Sequence, residues 1–152
     1  MGPVLLVVHV LAAVLFVGPA AVSASLFPAA VPLGVGEARR PRDERRSADA
    51  ARLLHRVSRV YGLLAVSVPV AGIVLGLLWG KFDEAWLVVA LGLTVAAGVL
   101  LAVRIVPGQA AMLRRPPGRR EVASAAALVG VFNLLWVVVL VLMVLQPGAP
   151  ER

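Results

Sequence analysis

Four apolar runs dominate the chain, separated by polar or Pro/Gly-rich breaks. They cover residues 4–27, 60–79, 85–106 and 122–145. Each is near the length, about 20 residues, at which a helix crosses roughly 30 Å of hydrocarbon. Too few polar positions interrupt them to mark one wet face, so the pattern is that of helices surrounded by apolar material. The expected architecture is all-α: a polytopic, antiparallel bundle of four transmembrane helices forming one membrane domain over residues 1–152. Polar connections are expected at 28–59 and 107–121.

The first run carries Pro19 as a candidate kink. Its Val22-Ser23-Ala24 resembles a small-residue cleavage site, but no positive n-region precedes it, which favours a retained helix. After the break PAAVPLGVG, Ser47 and Asp49 provide a helix start. From there Leu53, Leu54, Val57, Val60 and Tyr61 recur at helical spacing, with Arg52, Arg56 and Arg59 on another face. A helix running from Ser47 to Trp79 is roughly 50 Å long at the usual rise, so its first turns extend beyond the apolar layer. Gly72, Gly76 and Gly80 share one face, suited to close packing or to a flat ligand. The short Gly80–Ala85 turn makes the next helix an antiparallel neighbour, with Trp79 and Trp86 flanking it as an interfacial belt. Gly92, Ala96, Ala97 and Gly98 add small residues to the third run, and Pro107-Gly108 reads as its end.

Composition narrows the picture. The 152 residues are 61% hydrophobic and only 15% charged, and the mean hydropathy is +0.94. A soluble domain typically has about 45–50% apolar and about 25% charged residues. With no Cys, disulfides, thiolate metal sites and thiol catalysis are excluded. The net charge of +7 in a soluble chain would point to nucleic acid. Here thirteen of the fifteen Lys/Arg lie in the two long connections or at the adjoining end of the third run. That asymmetry is the positive-inside signature, which puts both long connections in the cytoplasm and both termini outside. The basic residues Arg45, Arg46, Arg52, Arg56 and Arg59 are then expected to face anionic lipid head groups or a partner protein, and nucleic acid is not expected.

No Asp or Glu lies in any of the four runs. Proton-coupled export needs an intramembrane carboxylate, so a small multidrug-type exporter is disfavoured. Nucleophilic catalysis lacks an acid and a base within one layer, and no catalytic or metal-binding set emerges. The polar exceptions that matter most are His9 and Asn133. Asn133 reads as an interhelical hydrogen bond. His9 reads either as a packed, hydrogen-bonded histidine or as an axial ligand of haem b, with Gly72, Gly76 and Gly92 as pocket walls. His55, near the arginines, reads as a solvated interfacial residue.

The first run reads His9-Val10-Leu11-Ala12-Ala13-Val14-Leu15-Phe16-Val17-Gly18. The fourth contains Phe132-Asn133 and ends Met143-Val144-Leu145-Gln146-Pro147. In layout and in these short motifs the chain resembles a group of small four-helix bacterial membrane proteins. The group includes HemJ-type protoporphyrinogen oxidases and CopD-type copper-resistance domains, and the likeness runs nearest to its uncharacterised members. The resemblance implies haem binding at the position of His9, and an Asn at the position of Asn133. The oxidases also carry a lysine after Trp-Leu-His at the start of helix 3. Here Trp86-Leu87-Val88-Val89-Ala90 holds neither His nor Lys, so haem binding, not oxidase activity, is what the resemblance leaves. Taken together, the sequence favours a non-enzymatic accessory or scaffolding subunit of a bacterial cytoplasmic membrane, self-associating or docked in a complex. A haem protein of porphyrin or electron-transfer chemistry is second. A small-solute or metal-ion permease is third.

Overall fold

The computed structural model describes residues 2–36 and 46–148. Four long helices, α1 (Pro3–Ala30), α2 (Ala48–Trp79), α3 (Ala85–Arg114) and α4 (Arg119–Leu145), are each long and apolar enough to cross a membrane. They form an antiparallel four-helix bundle, the architecture of a multi-pass membrane protein. Connections 1–2 and 3–4 lie at one end, which carries the arginines; the Gly80–Glu84 turn lies at the other. The tightest pairs are α1 with α2 and α3 with α4, and α1 also packs along α4.

Small residues bring the helices together. Ala20, Ala24, Ala51, Ala90 and Ala97 are fully buried. With apolar lipid outside, close backbone approach and van der Waals contact hold such helices, and small side chains permit both. One core cluster joins Ala20, Ala24, Ala97, Leu101, Ile105, Val129 and Phe132. A second, at the arginine-bearing end, joins Phe27, Val31 and Ala51. The bulky residues mostly point outward: Leu53, Leu63, Leu77, Val103, Leu134 and Val144 are all exposed. In the first half of α2, Ala48–Leu64, the buried positions are Ala51 and Ser58, while Leu53 and Val60 of the anticipated apolar face look outward.

Prolines shape three of the four helices. In α1 a π-helical turn, Ala13–Val17, precedes Gly18-Pro19. In α3 a π-helical turn, Leu101–Ile105, precedes Val106-Pro107. The looser i→i+5 pattern absorbs a ring that lacks an N–H and crowds the preceding turn. Because of it α3 runs on to Arg114, well past the expected end at residue 106, and most of the anticipated 107–121 connection is helical. In α2 the strain breaks the helix instead. Pro69 cannot donate to the Ala65 carbonyl, and Val68 N–H takes that carbonyl at 3.0 Å, leaving a turn at Ala65-Val66. The expectation of an uninterrupted α2 is corrected accordingly.

The helix ends are capped by side chains and by left-handed residues. Ser47 accepts from Ala50 N–H at the start of α2. Gly80 ends that helix at φ 62°. Glu121 accepts from Gly118 N–H at 2.9 Å at the start of α4. Gly34 N–H donates to the Pro117 carbonyl at 3.1 Å, joining the two long connections.

Candidate functional site

His9 projects from the first turns of α1 into the bundle and is 7% exposed. Its ring lies on Gly72 of α2: a Cβ there would stand 3.2 Å from the imidazole Cε1. The Val68 carbonyl meets the ring from the same helix. Beside it is a cavity of about 50 Å³ reached by all four helices, with Ala13, Gly72, Thr94, Trp136 and Met143 among its walls. Among the described residues two buried side-chain polar atoms have no hydrogen-bond partner within the protein, His9 Nδ1 and Trp136 Nε1. Thr94 donates its hydroxyl to the Ala90 carbonyl at 2.8 Å.

This geometry does not fit a porphyrin. Sites for cofactor-sized ligands run to about 300–1,000 Å³, and the space at His9 is far smaller. The imidazole itself fills the notch at Gly72. Gly76 is covered by Phe82 and Leu87, whose atoms stand 2.9 and 3.1 Å from an added Cβ, whereas Gly92 has nothing within 4 Å and is exposed. The three glycines therefore wall no common pocket.

Asn133 donates from Nδ2 to Ser25 Oγ at 3.0 Å, linking α4 to α1. Ser25 passes its own proton to the Ala21 carbonyl at 2.7 Å. Nearer the arginine-bearing end a second polar string crosses three helices. Ser23 and Ser58 hydroxyls lie 2.9 Å apart, and Gln109 Nε2 donates to Ser58 at 3.4 Å. Gln109 Oε1 lies 3.2 Å from His55 Nδ1. His55 is thus half-buried and engaged, not solvated. The sequence reading missed Gln109 because Pro107-Gly108 looked like a helix end. A signal for Ser58 did exist: Ala51, His55, Ser58 and Gly62 form a small and polar stripe at helical spacing, about a quarter turn round the helix from the arginines.

The arginines divide by role. Arg46 turns inward, donating from Nη1 to the Pro28 and Val31 carbonyls at 2.7 and 2.9 Å. It closes the end of α1, where the last carbonyls have no intrahelical donor, and does not face lipid as expected. Arg52 is exposed and pairs with Asp49 at 2.5 Å. Arg56 and Arg59 are exposed on the flank of α2. Arg45 lies outside the described residues.

Two larger clefts open on the flanks. One, about 530 Å³, separates α2 from α3 between Gly62 and Gly98, with Phe132 and Trp136 at its floor and Arg59 at its rim. The other, about 550 Å³, lies between α3 and α4 at the arginine-bearing end. Arg104, Arg115 and Arg120 border it above an apolar floor of Phe27, Leu128 and Val129. Arg115 pairs with Glu121 at 2.6 Å. The sequence reading placed Arg104 at the helix end but did not foresee that α3, by continuing, brings Arg115 across from Arg120.

No family model matches the chain, and no curated protein or solved structure shows significant similarity to it.

Proposed function

We propose that this small multi-pass membrane protein is a non-enzymatic accessory subunit of a bacterial cytoplasmic membrane that holds anionic lipid at its arginine-bearing end. The α3–α4 cleft carries the reading. Three arginines line it together with apolar residues, a composition that suits a phosphate head group with its acyl chains. Glu121 neutralises part of this charge through Arg115, leaving Arg104 and Arg120 as the phosphate-facing pair. The positive-inside rule puts this end in the cytoplasm, where arginine clusters meet anionic head groups. Exposed apolar faces of α2 and α4 then serve self-association or docking to a larger complex.

Lipid retention tests this directly. The protein is reconstituted in bilayers of equal phosphatidylglycerol and phosphatidylcholine, extracted in mild detergent, and its retained lipids are counted by native mass spectrometry. Phosphatidylglycerol is expected to be retained in several-fold excess. The double variant Arg104→Gln/Arg120→Gln is expected to lose most of that excess, while Arg52→Gln, already paired with Asp49, keeps it. Equal retention of both lipids by the unaltered protein overturns the proposal.

A further inference from the structure

The cavity at the meeting point of the four helices has a specific chemistry. Its walls are apolar apart from His9, Thr94 and Trp136, and two buried polar atoms among these have no partner within the protein. Buried donors and acceptors in an apolar surround are normally satisfied, by protein or by a resident water. The two orphans are of opposite kind. The indole Nε1–H of Trp136 can only donate. In a neutral imidazole one nitrogen donates and the other accepts. The Val68 backbone lies against the ring and Nδ1 has no partner, an arrangement that favours the tautomer protonated at Nε2, in which Nδ1 is the acceptor. The third group, Thr94 Oγ1, donates its hydrogen to the Ala90 carbonyl and keeps acceptor capacity, and Thr94 lines the cavity.

A ligand for this set must be very small, accept one hydrogen bond and donate two. Water meets those terms. A cavity of about 50 Å³ exceeds the roughly 10–15 Å³ of probe volume that one water needs, and three bonds is the usual number for an internal water. We infer that the cavity bounded by His9, Thr94 and Trp136 is a binding site for a resident water molecule, accepting from Trp136 Nε1 and donating to His9 Nδ1 and Thr94 Oγ1. The site joins α1, α3 and α4 by one three-way contact, with α2 held to His9 through Val68 and Gly72. It gives the intramembrane histidine a role without a cofactor: it is the acceptor that orders the water.

The test uses the full chain, labelled with ¹⁵N, in lipid nanodiscs. The three indole N–H resonances are assigned by single Trp→Phe variants. The expected result is a water cross-peak at the Trp136 indole N–H with the Overhauser sign of a bound, slowly exchanging water. It is expected to be lost in His9→Leu and weakened in Thr94→Val, a near-isosteric change that keeps the packing. Should His9→Leu fail to fold, Thr94→Val and the ¹⁵N shift of His9 Nδ1, expected in the unprotonated, hydrogen-bond-accepting range, decide the matter. A Trp136 N–H without any water cross-peak, while the exposed Trp79 indole shows one, overturns the inference. So does a scalar coupling across a direct Trp136 N–H to His9 Nδ1 bond, since the two orphans would then satisfy each other.

Discussion

Arg46 shows how far a residue's role can depart from its composition class. It belongs to a run of charges that reads as facing lipid head groups or a partner, yet its guanidinium binds two main-chain carbonyls at the end of α1. Hydrogen bonds from a charged donor contribute about 1.5–3 kcal/mol each, and a carbonyl left without a partner loses more than the average bond. Arg46→Gln is therefore expected to lower stability by about 2–3 kcal/mol, read from reversible unfolding in mixed detergent micelles. Arg56→Gln, on an exposed position of the same segment, is expected to change it by under about 0.5 kcal/mol. An equal effect of the two substitutions would return Arg46 to the lipid- or partner-facing arginines. Legibility at this scale followed contrast. His9 and Asn133 stood out because each interrupts an apolar run, and both are inward or partnered in the structure. Gln109 did not stand out because Pro107-Gly108 reads as a helix end before it, nor Ser58 because it lies among arginines, and Arg46 was singled out but assigned to lipid or a partner instead of the α1 end.

Helix existence was legible in all four cases, since length and apolarity decide it. Helix interiors were less so. Pro107 marks an end by the usual rule, but a preceding π-helical turn carries the chain through it. Pro69, with no such turn before it, breaks α2. Nothing in the local sequence distinguishes these outcomes. The glycines show the same limit. Gly72, Gly76 and Gly92 are alike in sequence, but their surroundings differ: Phe82 and Leu87 press on Gly76, whereas Gly92 faces outward. Gly76→Val is expected to cost about 1–3 kcal/mol by overpacking between α2 and α3. Gly92→Ala is expected to be neutral or slightly stabilising, because it restricts the unfolded chain and meets nothing in the folded one. Thermal melts of the two variants in one detergent check the contrast. A Gly92→Ala loss as large as that of Gly76→Val would place α3 against a further surface on its outer face.

At the scale of the molecule, one asymmetry organises the bundle: among the described residues the guanidinium groups gather at one end, and the other end holds the Lys81–Glu84 ion pair, 2.8 Å long, beside Trp86. Lys81 is thereby locally neutralised, while Arg56, Arg59, Arg104, Arg114 and Arg120 form no ion pair with other described residues. Moving such charges through hydrocarbon is the larger free-energy penalty, about 2.5–3.5 kcal/mol for each arginine on insertion scales, so the arginine-bearing end should remain where the chain is made. The absence of native cysteine makes this directly measurable. Asp83→Cys, at the exposed turn, and Arg114→Cys, at the exposed end of α3, each create one thiol. In intact cells a membrane-impermeant maleimide is expected to label Asp83→Cys fully and to label Arg114→Cys only after the inner membrane is permeabilised. The reverse pattern would turn the bundle over, placing the α3–α4 cleft outside the cell. A lipid selectivity that survived in that orientation would have to come from the cleft's shape and guanidinium geometry, not from the anionic surface of the cytoplasmic leaflet.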